Sequence, residues 1–320
     1  MELYCCGKKL DTSPDKFGEM RSSNDIAGDI DAQKERIEAD GYLLFREMID
    51  RQAVLDARSE ILLKYAIIGE IDSIRHPVMD AIEQRNSSIT QVNMLAFNES
   101  VQTGKAYEHV ILHPALIAFY EAFMGGPVQT FDFKWPRFVR PGEGTGIHAD
   151  IVYVGRGTRN LWSSWIPLGD VPREEGSLVI LEGSHQSQKL RNYWSKDADR
   201  DHIGWLSENP LQLQENLGGR WLTTDFRAGD VLCFSPRLVH ASLDNRSPVG
   251  RCRLSSDSRY LLVGEALDDR WNGDISNPHG GPQKAFVPGL SRMNQNKEFE
   301  EEWKRVDEYG RLVLTHGGAD

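Results

Sequence analysis

The segment Gly146-Ile147-His148-Ala149-Asp150-Ile151-Val152-Tyr153-Val154 constrains this chain more than any other. Its composition is that of a strand, and in a strand His148 and Asp150 leave one face while Ile147, Ala149 and Ile151 leave the other. Far downstream stands Pro236-Arg237-Leu238-Val239-His240. The gap is too long for a local zinc motif, but two strands of a barrel bring such residues together. Two imidazoles and one carboxylate make the facial set that holds Fe(II) and keeps positions open for a co-substrate and dioxygen. Gly142, Gly144 and Gly146 crowd in just before His148, as at a tight strand entry beside a pocket, and Gly229-Asp230 marks a turn before the segment of His240. A bare His-x-Asp recurs by chance, and a half-buried histidine is more often hydrogen-bonded than metal-bound, so the surrounding pattern has to decide.

That pattern divides the chain. Beyond Pro127, short β-branched and aromatic runs fall at 128–139, 147–154, 161–166, 177–181, 231–234 and 253–263, parted by Gly, Pro and Asp. This is the rhythm of an antiparallel jelly roll. Upstream, a short helix should end at Asp40-Gly41, a strand should cover Tyr42-Leu43-Leu44-Phe45, and Asp50 should cap a helix to about Lys64. A further helix is predicted from Pro114 to Met124, closed by Gly125-Gly126. The expected fold is mainly β with α additions: a double-stranded β-helix (jelly-roll, cupin-like) core over 127–265, flanked by N-terminal helices over 29–126. Residues 186–225 interrupt the strands and carry Trp194, Trp205 and Trp221, either as a lid or substrate wall or as a structural insertion. Residues 1–28, polar and aperiodic, read as a loosely held arm, and 266–320 as a charged extension with a helix near 297–308.

Composition bounds the partners. A net charge of −11 with 27% charged residues argues against a nucleic-acid or anionic-membrane surface and leaves a small-molecule substrate. Only short apolar runs occur, and the N-terminus lacks the basic-then-apolar order of a signal peptide, so a cytoplasmic monomer or homodimer is expected. Cys5, Cys6, Cys233 and Cys252 are too few and scattered for a disulfide scaffold, and no C-x-x-C pair suggests zinc.

A bidentate α-keto acid on such a metal leaves its far carboxylate in need of a cation, and the planar fork of arginine matches a carboxylate. In Arg251-Cys252-Arg253-Leu254-Ser255-Ser256-Asp257-Ser258-Arg259, the three arginines share one strand face. Arginines so placed are commonly solvated or ion-paired, here with Asp257 within reach.

The motifs together resemble the phytanoyl-CoA dioxygenase family. They are His148-Ala149-Asp150, Trp162-Ser163-Ser164-Trp165-Ile166-Pro167-Leu168-Gly169-Asp170-Val171, Glu175-Gly176-Ser177 through Glu182-Gly183-Ser184-His185, Gly229-Asp230-Val231, His240-Ala241-Ser242-Leu243-Asp244-Asn245 and Arg253 to Tyr260. With Asp40-Gly41-Tyr42-Leu43-Leu44-Phe45 the likeness runs from about residue 30 to 265. It implies that His148, Asp150 and His240 bind Fe(II), and that an arginine opening the last core strand holds the far carboxylate of 2-oxoglutarate. Arg251 has a common family spacing from His240; alignment on Leu-Ser-Ser-Asp instead selects Arg253, which we take first, with Arg251 second. The resemblance also implies that Trp165 lines the co-substrate pocket or fills the core, that His185 supports a ligand or is structural, the family using a different histidine as ligand, and that Asn93 and Trp135 face the pocket from outside the core. The implied reaction couples dioxygen and 2-oxoglutarate to hydroxylation of an unactivated C–H bond, releasing succinate and carbon dioxide. Related halogenases replace the ligand carboxylate with a small residue, so Asp150 favours hydroxylation or desaturation. The alternatives are a cupin-type metalloenzyme without a keto-acid requirement, which would make no succinate, and a silent binding protein on the same fold.

Overall fold

The computed structural model describes residues 2–84 and 94–273. Its first elements differ from the loose arm expected over 1–28. Tyr4–Cys5 (β1) and Lys8–Lys9 (β2) form a small hairpin, and Phe17–Glu19 (β3) joins a four-stranded sheet. Leu3, Cys5, Leu10, Phe17 and Met20 are all buried. Single apolar anchors in a polar stretch have no period to detect; only the surface on which they dock reveals them.

The helices start and stop where local chemistry directs. Asp29 accepts from the Ala32 amide to open α1 (Ile30–Asp40), and Gly41, at φ 84°, closes it in the left-handed region that glycine reaches without strain. After β4 (Tyr42–Phe45), Asp50 caps α2 (Arg51–Ile67) through the Ala53 amide, slightly longer than predicted. Then come α3 (Met94–Gln102), α4 (Lys105–Ile111) and α5 (Pro114–Met124), the last with Pro in its first turn.

The strands follow as β5 (Val128–Thr130) and β6 (Trp135–Val139), then the single helical turn α6 (Ile151–Val154), then β7 (Leu161–Pro167) and β8 (Leu178–Leu181). Next are α7 (Arg191–Trp194), α8 (Pro210–Leu217), β9 (Trp221–Thr223), β10 (Val231–Phe234), β11 (His240–Ser242) and β12 (Arg253–Leu262). They form two sheets. The larger runs β4-β10-β7-β12-β5, with β6 also on β12, and is antiparallel throughout. The smaller runs β11-β8-β9-β3, with β3 parallel to β9.

Alternation along the strands builds three layers. Tyr42, Leu44, Trp165, Leu232 and Phe234 of the large sheet meet Leu178, Ile180 and Leu222 of the small one in the interior. The alternate set, including Leu43, Phe45, Ile166, Val231, Leu254 and Tyr260, packs against Val54, Ile61, Tyr107, Phe119 and Tyr120 of the helices. The outer face of the small sheet, Phe17, Val179, Leu181, Trp221 and Ala241, is covered by Tyr193, Trp194 and Leu213 together with Leu3. This is the expected jelly roll with helical additions. Residues 186–225 form part of its scaffold, since Trp194 is buried behind the small sheet and Trp221 on the sheet's outer face, with their indole N–H groups donated to the carbonyls of Arg237 and Pro210. The helix expected near 297–308 lies outside the described residues. Among the described residues, no helix is long and apolar enough to cross a membrane.

Candidate active site

The predicted strand over 147–154 breaks at Asp150. Ile147 and His148 make isolated bridges to Ser207 and His240, and the chain then turns into α6, whose Tyr153 and Val154 amides donate to the Asp150 carbonyl. The β-branched run concealed this turn. The consequence expected of a strand survives it, because the bridge to β11 sets His148 directly beside His240, with reciprocal backbone hydrogen bonds of 2.9 Å.

Each imidazole is fixed in the same way. His148 Nδ1 lies 2.8 Å from the carbonyl of Gly146, and His240 Nδ1 lies 2.9 Å from that of Leu238, in both cases two residues upstream. A carbonyl only accepts, so Nδ1 carries the proton and Nε2 keeps its lone pair. Both Nε2 atoms face Asp150 Oδ1, at 3.7 Å from His148 and 3.9 Å from His240, and the three candidate ligand atoms lie within 4.8 Å of one another. Asp150 is oriented in turn: Ser163 Oγ donates to Oδ2 and Arg259 Nη2 donates to Oδ1, both at 2.6 Å. Burial pushes His148 down to about 3, so it is neutral and available as a ligand. Burial also pushes the Asp150 carboxyl upward, but the Arg259 guanidinium, with the Ser163 hydroxyl, outweighs it and holds the group ionised well below the usual carboxylate range. Nitrogen and hard oxygen donors of this kind suit Fe(II).

Aromatic rings surround the centre. Tyr153 stands edge-on to His148 at 5.5 Å, Phe234 packs on His240 at 4.8 Å, and the guanidinium of Arg259 lies 4.5 Å from the ring centre of Trp135. Phe133 and Trp271 flank Trp135 in turn. Of the three insertion tryptophans, Trp205 reaches the site segment, packing so closely on Gly146 that a Cβ there would lie 1.8 Å from the indole.

The arginines separate by environment. Arg253 is buried on the interior face of β12, donating Nε to the Gly176 carbonyl and Nη1 to Ser255 Oγ, with its guanidinium 5.8 Å from the ring centre of Trp165. It has no carboxylate partner among the described residues, and burial pulls it down to about 10. An unpaired buried cation is costly, and an anion placed against it relieves that cost. Arg251 instead lies before the strand, partly exposed, donating Nε to the Asp80 carbonyl and lying 3.5 Å from Glu175. The three arginines therefore do not share one strand face. Asp257 pairs with Arg137, not with Arg251, Arg253 or Arg259. Trp165 is buried against Phe226. His185 serves the scaffold, its Nε2 bonded to the carbonyl of Glu38, and Asn93 lies outside the described residues. Sequence reasoning missed Ser163 and the pairing of Arg259 with Asp150. The available signal was the parity of Arg259 with Arg253 along β12; that it lies opposite Ser163 is a matter of sheet register.

The family model for phytanoyl-CoA dioxygenases matches residues 37–252. The chain belongs to the phytanoyl-CoA dioxygenase family. Membership carries the enzyme class, an Fe(II)- and 2-oxoglutarate-dependent dioxygenase. Among relatives of this dioxygenase, 1-deoxypentalenic acid 11-beta-hydroxylase of Streptomyces arenae is 25% identical over 264 residues, covering 77% of this chain and 86% of the relative. L-proline trans-4-hydroxylase of Streptomyces griseoviridis is 27% identical over 156 residues, covering 44% and 58%. In fold, the dioxygenase is similar to the non-haem α-ketoglutarate-dependent carbocyclase SnoK of nogalamycin biosynthesis, at TM-score 0.52 and 17% identity over 78% of this chain and 89% of that one.

Proposed function

We propose that this dioxygenase binds Fe(II) through His148 Nε2, the Asp150 carboxylate and His240 Nε2, and holds the far carboxylate of 2-oxoglutarate at Arg253. In this reading it hydroxylates an unactivated C–H bond of a small molecule and releases succinate and carbon dioxide. One observation carries the proposal: two imidazole lone pairs and one ionised carboxylate oxygen converge in a buried site, while an unpaired guanidinium waits on the interior face of the neighbouring strand. Bound Fe(II) with its keto acid supplies the dioxygen chemistry. The chain's own residues do the rest. The carbonyls of Gly146 and Leu238 fix the imidazole tautomers, Ser163 and Arg259 fix the carboxylate, and the rings of Tyr153, Trp135 and Phe234 exclude water. The relatives that cover more of this chain are named for small carboxylic acids, 1-deoxypentalenic acid over 77% of it and L-proline over 44%, which favours such a substrate over the acyl thioester that names the family and a relative matching 37% of the chain.

The test is an anaerobic titration of metal-free protein with Fe(II) and then 2-oxoglutarate, following the weak visible charge-transfer band of a chelated iron–keto-acid complex. The expected result is a band in the wild type that is lost in His148→Ala and weakened in Arg253→Ala. Iron binding without a band would refute the keto-acid role in favour of a cupin-type enzyme, and absence of iron binding would leave a silent scaffold.

A further inference from the structure

Arg259 is buried to the same degree as the ligands it adjoins, yet only one of its nitrogens is used. Nη2 donates to Asp150 Oδ1, whereas Nε and Nη1 have no hydrogen-bond acceptor among the described residues. Buried donors are almost always paired, and an unpaired one on a cation signals a partner that arrives later. Trp135 closes one face of the guanidinium at 4.5 Å, so an incoming acceptor must approach in the plane of the fork, where carboxylates bind arginine. The charge balance points the same way. On this face of β12, Asp257 is neutralised by Arg137 and Asp150 by Arg259, which leaves Arg253 unmatched before any metal charge is added. A divalent metal raises the excess further, and a dianion would offset it. Arg259 and Arg253 bracket the interior face, with Ser255 and Asp257 between them. The first touches the candidate metal ligand and the second stands against Trp165.

We propose that Arg259 is a second keto-acid anchor: its free donors bind the carboxylate that lies against the metal centre, while Arg253 binds the far one. The assignment rests on the functional reading above and goes beyond it by giving the dianion two separate arginines. It also gives Arg259 two tasks, orienting Asp150 and positioning the co-substrate.

Pyruvate separates the two anchors, because it keeps the α-keto carboxylate and lacks the far one. Binding of 2-oxoglutarate and of pyruvate to Fe(II)-loaded protein is measured by anaerobic calorimetry, with iron content determined for every variant. Arg259→Gln should weaken both keto acids by roughly tenfold to a hundredfold, the usual effect of losing a charge-assisted hydrogen bond, and Arg259→Lys by less. Arg253→Gln should weaken 2-oxoglutarate alike and leave pyruvate within twofold of the wild type. Where Arg259→Gln does not retain iron, Arg259→Lys, which keeps a cation beside Asp150, decides. Pyruvate binding at wild-type strength in an iron-loaded Arg259 variant overturns the assignment and confines the residue to Asp150. Failure of the wild type to bind pyruvate also counts against it. A wild type that takes iron but binds neither keto acid sinks the functional reading itself.

Discussion

Gly146→Ala tests whether the insertion holds the metal-binding segment in place. A Cβ at this position would lie 1.8, 2.1 and 2.3 Å from three atoms of the Trp205 indole. Carbon atoms pack at about 3.5–4.0 Å, so the methyl group lacks roughly 2 Å of room. The backbone of Gly146 is not in the left-handed region, so the penalty is steric and not conformational. Neither side gives way easily. The Leu206 amide, next to Trp205, donates to the Ile147 carbonyl at 2.7 Å, and Ser207 bridges Ile147. The Gly146 carbonyl is itself the acceptor that fixes the tautomer of His148. Overpacking of this kind costs about 1–3 kcal/mol, which for a domain of this size lowers Tm by roughly 2–10 °C. The functional loss should be larger, because a ligand constellation tolerates displacements of only about 0.5 Å. Iron affinity, read from an anaerobic Fe(II) titration, should fall more than tenfold. Trp205→Ala provides the control: in the double variant the methyl group meets no ring, so iron affinity should recover and the stability cycle should show a coupling of at least about 1 kcal/mol. A Gly146→Ala protein that melts and binds iron like the wild type, or one that Trp205→Ala does not relieve, would refute the packing argument.

Two further outcomes follow from burial. In the metal-free protein, His148 is held down to about 3 from an ordinary 6.5, so below pH 6.5 the unfolded chain takes up a proton that the folded chain refuses. Stability should therefore fall as pH drops from 7 toward 3, by about 2 kcal/mol at pH 5 from this group; denaturant midpoints at pH 7 and pH 5 measure it, and His148→Gln should lose most of the difference. The lowered Asp150 carboxyl acts in the same direction but only below about pH 4, since its contribution is present above its ordinary 3.8 and is lost as pH falls through the lowered folded value. Removing residues 1–20 takes five buried side chains and the β3 edge from the small sheet. At about 1.5–3 kcal/mol for each fully buried large side chain, the loss is several kcal/mol, so the truncated protein should melt at least 10 °C lower or fail to fold, whereas a loose arm could be removed without a change in Tm.

What could be read in the sequence was what depends on neighbours along the chain. Strand β10 is legible as a short apolar run behind the Gly229-Asp230 turn, α1 by its stop at Asp40-Gly41, and α2 and α5 because Asp50 and Pro114 carry their own start signals. His148 and Asp150 were legible as a pair for the same reason, two residues apart, even though the strand assigned to them is a bridge followed by a turn. Ser163 and Arg259 were not, because nothing near either residue announces Asp150. They meet it because β7 and β12 pair with Arg259 opposite Ser163, and a shift of that register by one residue would turn Arg259 out toward the helices. Register is set by the whole sheet: Tyr260 stacks on Tyr120, Ser256 bonds Tyr107, and Tyr120 bonds Ser164, all on the helical side. The helices that seem remote from the chemistry thus fix which arginine reaches the carboxylate. A substitution such as Tyr120→Phe, which removes the hydroxyl bonded to Ser164 Oγ and to the Ser163 carbonyl, acts on Asp150 through the strand that carries Ser163.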